Sequence, residues 1–519
     1  MKQSHRLIHN TCIIWIARLF RYIPELFLLP FVLKRVGDES YGVYVLAWSI
    51  LIALERIHEP VTSAVIKYNA GYIARGDFRS VNSILSSAFN ISVIIAVVSA
   101  LGIMGTALLF PDALGDSPAV NKMAVISLTV VSLVILTAFP ITPHVGVMYA
   151  LQRHDLFFIL DTVAGYLKAA VTVLWFIFIG PSIAVLIIVS GLAFLFPRII
   201  MAAVAGRTVP GIEIRQKYTD SKTCKTIFSF GGILFLASLC YFVNFAGMKW
   251  LMGVIITAGF VAHMEIMLIP SRVLGQISHG MTLTVMPVAS RLNSLNDSER
   301  LNELFIRGSR YITILIISEM IAASLLVKPV LLLWMGKEYM FLYKYLFVYF
   351  CFNATHTAGF CANQILRGKG ELKAVFINSF IGQAMMPVLV TFLYYCFSRD
   401  AYWSVTVGLS SGALIYGLVQ IFTCRYILKT PLPRLLKRSF IQPLVPGVPV
   451  FFAGIFLSRY WEHAGILFLI PFAILLLIIF MVIFYLFFST SDEKKLAVQF
   501  VSGLRKKTVF KNLLCFRSN

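Results

Sequence analysis

With 519 residues, 59% of them hydrophobic, and a mean hydropathy of +0.84, the chain lies outside the composition of soluble domains and reads as an all-α polytopic membrane protein. A net charge of +22 raises the question of nucleic acid, but its placement along the chain argues for membrane orientation and against a nucleic-acid partner. Eight scattered cysteines, with no CxxC pair and no Cys/His cluster, give no support to a disulfide framework or a zinc centre, and no metal or cofactor is expected.

The first ten residues are mostly polar, and the apolar segment that follows contains arginines and lacks an A-x-A-like cleavage site. No removable signal is therefore expected, and this segment stays as the first membrane helix. Hydropathy divides the chain into fourteen spans. The first six are 11–32, 41–66, 84–110, 123–151, 157–180 and 182–205. A polar connector, 206–225, joins them to 227–250, 257–289, 311–335, 343–366, 374–397 and 402–427, and two last spans cover 440–458 and 466–488. The expected organisation is an N-lobe (1–205), the connector (206–225), a C-lobe (226–430), a thirteenth and fourteenth helix (431–490) and a basic tail (491–519).

The opening pair of helices carries charge where hydrocarbon is expected. Arg18, Arg21 and Glu25 share one face of the first, and Glu55, Arg56 and Glu59 share one face of the second. A charge at the bilayer centre costs about 2.5–3.5 kcal/mol, so these faces look into a wet cavity or into paired ions that lock helices together. The eighth span repeats the device: Glu265, Arg272 and His279 recur every seven residues, with Gln276 between the last two and Pro270 expected to kink the helix. Arg21, Glu55, Arg56 and Arg272 fall near the middle of their spans, so facing lobes would bring them together at the midplane.

Other polar positions are less pointed. Asp161 and Lys168 share a face two turns apart, which does not imply that they pair, and Glu319 is the lone acid of the ninth span, fit to bind a proton or Na⁺ or to hydrogen-bond a neighbouring helix. Asn353, His356 and Asn363 suggest interhelical hydrogen bonding. Arg198 and Lys328 lie nearer span ends and are expected to snorkel. Trp48 fits either a sugar ring or helix packing.

Lys and Arg number 30 in the N-terminus, alternate loops and tail, against 8 on the opposite side, Lys249 counted among the latter. Both termini are therefore expected to be cytoplasmic, with anionic lipid headgroups the natural partner of the tail. A faint internal repeat supports two parallel halves. Residues 74–85 set over 294–305 match Asp77 to Asp297 and Asn82 to Asn302, and 151–153 echoes 366–368 at an offset of about 215. The expected fold is two six-helix lobes related by a pseudo-two-fold axis along the membrane normal, plus a C-terminal helix pair. No GxxxxGK[ST], HExxH or GxSxG motif is present, and the longest loop on the less basic side is the short 111–122 segment, so a transporter is expected and not an enzyme.

The run Gly37-Asp38-Glu39-Ser40-Tyr41-Gly42-Val43-Tyr44 after an arginine-bearing helix, then Thr62-Ser63-Ala64-Val65-Ile66 and the ARGDF segment, resembles bacterial polysaccharide-unit (O-antigen, Wzx-type) flippases of the multidrug/oligosaccharidyl-lipid/polysaccharide exporter superfamily. The lipid II flippase is similar through Arg18, Arg21 and the Pro270-Ser271-Arg272-Val273-Leu274-Gly275 run, although that family's acidic-arginine pair before the proline is here Glu265 with no arginine. The resemblance implies alternating-access transfer of an undecaprenyl-pyrophosphate-linked oligosaccharide across the bacterial inner membrane for surface polysaccharide or lipopolysaccharide biosynthesis. It implies pyrophosphate contacts from Arg18, Arg21, Arg56 and Arg272, and pairing or H⁺/Na⁺ coupling by Glu25, Glu55, Glu59 and Glu265. Gln276, His279 and Trp48 are added as substrate-contact candidates, and Glu319 as a coupling candidate, from their own positions in the spans. A glycan polymerase and other assembly proteins would be partners. A lipid II flippase and an ion-coupled multidrug exporter of the same fold are the alternative functions.

Overall fold

The computed structural model describes residues 20–109, 117–209, 211–282, 285–396, 400–461, 465–491 and 493–494. Among these, every regular element is a helix. A first helix, α1, is described over residues 20–36 and ends at Gly37, whose φ of 80° turns the chain directly into α2 (Asp38–Arg75). The N-terminal half continues with α3 (Phe78–Leu109), α4 (Pro118–Ala150), α5 (His154–Phe178) and α6 (Ile183–Thr208). In the other half, α7 (Ser221–Phe242) passes through a π-helical turn, Val243–Gly247, into α8 (Met248–Ile255). Then come α9 (Ala258–Thr282), α10 (Val285–Ser294), α11 (Ser298–Met335), α12 (Tyr343–Ala358), α13 (Phe360–Lys369), α14 (Leu372–Ser379), a second π-turn at Phe380–Ala384, α15 (Met386–Cys396) and α16 (Ala401–Leu428). The short α17 (Leu432–Leu435) leads into α18 (Gln442–Tyr460) and α19 (Ile466–Phe487), which lie against α11 through Ile317, Ile321 and Leu325.

Eleven helical segments among the described residues are long and apolar enough to cross a membrane. The other three expected spans coincide with the 20–36 helix, with α9–α10 and with α12–α13. Both α2 and α11 run 38 residues, about 57 Å at 1.5 Å per residue, so each outruns a bilayer core of about 30 Å. Pro270 lies inside α9 without breaking it.

The repeat seen faintly in sequence is explicit in the backbone. Asp77 and Asp297 both cap the helix that follows, accepting from the backbone N–H of Ser80 and of Arg300, each at 3.1 Å. At Asp77 the Ser80 hydroxyl and N–H favour the ionised carboxyl and draw it below the usual carboxylate range. The three non-glycine residues with positive φ, Asn296, Gln152 and Lys429, each have a glycine at the matching place in the other half: Gly76, Gly370 and Gly211. The offsets are 220, 218 and 218, so the second echo is Gln152 with Gly370, slightly shifted from the alignment expected.

Apolar packing distinguishes the two ends of the bundle. One cluster takes Leu28–Leu33 from α1, Tyr41–Leu51 from α2, Leu186 from α6, Val261 and Ile266 from α9, Met335 from α11 and Tyr345 from α12, so both halves share it. At the other end there are two separate clusters, Val61, Leu85 and Val147 of the first half with Ile227 of α7, and Phe305, Ile365 and Leu366 of the second half. Both halves share the core at the end that carries the α1–α2 and α11–α12 turns; toward the α2–α3 end the two clusters are separate, although α7 stays against the first half, its Thr223 hydroxyl 3.1 Å from that of Ser83.

Candidate functional site

Closure of the shared end rests on close backbone approach. A Cβ on Gly42 of α2 would stand 1.8 Å from the Ala258 carbonyl oxygen at the start of α9, a contact that only glycine permits. Trp250 Nε1 donates to the Leu46 carbonyl at 3.1 Å across the same seam. Beside it, Asp38 of the first half binds two groups of the second: Tyr339 donates to Oδ1 at 2.7 Å, and His263 Nε2 meets Oδ2 at 2.9 Å. His263 Nδ1 meets the Tyr402 hydroxyl at 2.7 Å. Burial, then the bond to the Asp38 carboxylate, push the Tyr339 phenol above its ordinary value, which keeps it a donor. This four-residue latch joins positions 38, 263, 339 and 402, and no sequence spacing pointed to it.

Further along the rods lie the charged groups, which the structure does bring together. Arg21 of α1 pairs with Asp161 of α5 at 2.9 Å, not with Glu25. Glu25 forms no ion pair among the described residues, and it lies within electrostatic reach of Arg21, Lys168 and Arg272. Glu55 pairs with Arg198 of α6, which also donates to the Phe194 carbonyl at 2.6 Å. Arg198 is 5% exposed, so the snorkelling expected of it does not occur: a carboxylate within the bundle holds it more favourably than distant water would. Arg56 and Glu59 pair along α2 at 3.1 Å, as their i, i+3 spacing suggests, with Arg56 over the Tyr241 ring.

Glu265 of α9 takes two cations, Arg272 one side and Lys249 of α8 the other, the latter at 2.9 Å. Lys249, counted above with the loops of the less basic side, is buried in the bundle, with Nζ also 4.3 Å from the Phe245 ring centroid. Its pairing was available to sequence reasoning. Lys249 and Glu265 are equidistant from Thr257, the turn of a helical hairpin, and residues so placed meet across antiparallel helices.

Lys168 finds no carboxylate among the described residues. It donates to the Tyr44 hydroxyl at 3.0 Å and lies 5.6 Å from the ring centroids of both Tyr44 and Trp48. Trp48 is stacked on Tyr44 and edge-on to Phe194. His356 stacks on Tyr416 at 4.9 Å, which ties α12 to α16. Glu319 is half-buried on α11. Arg18 and the side chains of Gln276 and His279 lie outside the described residues.

The site is therefore a set of mid-span charges from both halves, closed off on one side by the latch. Arg56, Glu59, Glu55, Arg21 and Arg272 remain between one-third and three-fifths accessible, so they border open space and not packed protein.

No protein-family model matches the chain, and no curated protein matches it in sequence. Solved structures do match its fold. The lipid II flippase MurJ in an inward closed conformation aligns with a TM-score of 0.68 at 16% identity, over 92% of this chain and 98% of that one. An inward-facing multidrug resistance MATE family transporter of the MOP superfamily aligns at 0.64 and 13% identity, over 82% and 99%. An outward-facing multidrug resistance MATE family transporter aligns at 0.60 and 13%, over 81% and 95%. The chain thus has the polytopic fold shared by these membrane transporters and flippases.

Proposed function

We propose that the protein is a flippase that moves an undecaprenyl-pyrophosphate-linked oligosaccharide from the cytoplasmic to the periplasmic leaflet of a bacterial inner membrane, for surface polysaccharide assembly. The observation that carries this reading is the mid-depth cluster of Arg21, Arg56 and Arg272, accessible beneath a closed seam and contributed by both halves. Guanidinium groups there suit a pyrophosphate, which they meet by paired charge-assisted hydrogen bonds. Both termini are placed in the cytoplasm on the positive-inside count, so the open side would admit substrate from within. Opening of the Asp38 latch and closing of the α2–α3 end would then release it outside, the lipid tail remaining in the membrane.

The match to the lipid II flippase extends ten percentage points further over this chain than the match to the inward-facing transporter, a difference close to the length of the α18–α19 pair. That favours a lipid-linked substrate. A cationic drug is less well served, because Asp161, Glu55, Glu59 and Glu265 already hold resident cations. Glu25 is the acid assigned to any coupling proton or Na⁺. A glycan polymerase would take the product on the far side.

Deleting the gene should abolish surface polysaccharide while peptidoglycan synthesis continues, and an Arg272→Ala protein, present at normal level, should fail to restore it. Loss of lipid II export with intact surface polysaccharide would instead identify the cell-wall precursor as the cargo. Normal display of both would remove the flippase reading.

A further inference from the structure

Most of the cavity's ion pairs are one to one: Arg21 with Asp161, Arg198 with Glu55, Arg56 with Glu59. An anionic ligand that captured Arg21 would leave Asp161, 14% exposed, without a counter-ion, which is strongly unfavourable inside a bundle, whereas Glu55 and Glu59 are 41% and 55% exposed and can hydrate. Glu265 differs, because it is held by two cations that are placed very unequally. The Lys249 side chain is 4% exposed and packs its ammonium between Oε2 and the Phe245 ring, whereas the Arg272 side chain is 37% exposed. Arg272 lies within electrostatic reach of Glu25 and Tyr22 of α1, Tyr241 of α7 and Tyr349 of α12, so it looks across the gap between the halves.

We infer that Lys249 is a positioning residue: it is the standing counter-ion of Glu265, and by holding that charge it frees Arg272 to be given up to the phosphate groups of an anionic headgroup. This rests on the flippase reading for the class of ligand. Of the two exposed arginines paired with a buried acid, Arg21 and Arg272, Arg272 is then the one that phosphate captures more readily, since Glu265 keeps a hydrogen-bonded partner at 2.9 Å after Arg272 swings away. The π-turn at Val243–Gly247 belongs to the same device. It ends one residue before Met248 and sets the rotation of α8 that turns Lys249 toward α9.

The test is binding of inorganic pyrophosphate to the purified full chain in detergent, by calorimetry, across a cycle of variants. Wild type should bind. Lys249→Met should weaken binding about tenfold or more, because Arg272 becomes the sole partner of a buried carboxylate and cannot be released. Glu265→Gln should bind at least as tightly as wild type. Lys249→Met with Glu265→Gln should match Glu265→Gln within about threefold, since a neutral residue 265 needs no counter-ion. A merely structural role for Lys249 would not be rescued by removing the charge of its partner. If Lys249→Met alone does not fold, the comparison of the double variant with Glu265→Gln still decides: a tenfold deficit in the double variant would mean that Lys249 touches the ligand itself, and the inference falls. It falls equally if Lys249→Met binds like wild type. Failure of the wild-type chain to bind pyrophosphate at all would instead overturn the flippase reading, and this inference with it.

Discussion

Asn82 and Asn302, 220 positions apart, hold the same part of the chain in the two halves of the molecule. The Asn82 carboxamide donates to the Gly211 carbonyl at 2.9 Å and accepts from the Glu213 N–H at 3.0 Å, just past the end of α6. The Asn302 carboxamide donates to the Leu428 carbonyl at 3.2 Å and accepts from the Thr430 hydroxyl, at the end of α16. Each asparagine thus ties the third helix of its half to the exit of the sixth, satisfying backbone groups that a helix end leaves open. Asn82→Ala and Asn302→Ala should each cost about 1–3 kcal/mol, seen as lower resistance to chemical unfolding in detergent. A loss confined to one of the pair would show that the two halves do not use the bond alike.

The Glu55–Arg198 pair should respond unequally to removal of its two members. Arg198 is buried and would keep its charge in Glu55→Gln, whereas Glu55 is 41% exposed and can hydrate in Arg198→Met. Breaking a fully buried pair costs about 3–5 kcal/mol, and the exposure of Glu55 discounts this, so Glu55→Gln should lose about 2 kcal/mol and Arg198→Met less. Unfolding curves of the two variants give the order directly, and the reverse order would contradict the burial argument.

If the seam at Asp38 and His263 must open for transport, holding it shut should stop the protein. Asp38→Cys with His263→Cys, joined through two disulfides by a short bis-methanethiosulfonate, should lose transport and regain it when those disulfides are reduced. Unimpaired transport in the linked form would place the moving gate elsewhere. Gly42→Val should act in the opposite sense by forcing α2 from the Ala258 carbonyl, and should destabilise the closed seam even where expression is normal.

Arg310 of α11 fastens the C-terminal helix pair. It is 3% exposed, donates to Gln442 Oε1 at 3.1 Å and pairs with Glu493 at 3.3 Å, and it also donates to the Phe488 carbonyl. Glu493→Ala should destabilise by about 3 kcal/mol, the low end for a broken buried pair because two acceptors remain. A thermal midpoint equal to that of wild type would show that the neutral acceptors suffice.

Several of these features were legible in the residues alone, and the reason is that each is local. An apolar run long enough to cross hydrocarbon has to be a helix, so the spans could be counted. Asp77 and Asp297 marked the repeat as identical residues at an offset of 220, and the structure supplies the reason for the match, since each caps the helix that follows it. The Arg56–Glu59 pair followed from one turn of helix. What the residues could not reveal was which charge answers which across the bundle. Glu55 and Arg198 stand 143 positions apart, and Asp38 meets groups 225 and 301 positions away, so nothing along the chain relates them.

The sequence by itself determined that this protein is a bundle of membrane helices built from two related halves, with charged residues inside its apolar spans. It did so because span length, charge placement and a repeated stretch of residues can be read along the chain without knowing how it folds. The tertiary structure alone decided that Arg21 answers Asp161 and not Glu25, that Arg198 is an internal cation, and that Lys249 stands behind Glu265. The physical reason is rotational. A helix periodicity of 3.6 fixes which residues share a face, but where that face points is set by packing against other rods and by wide turns such as Val243–Gly247, and those contacts exist only once the chain has folded.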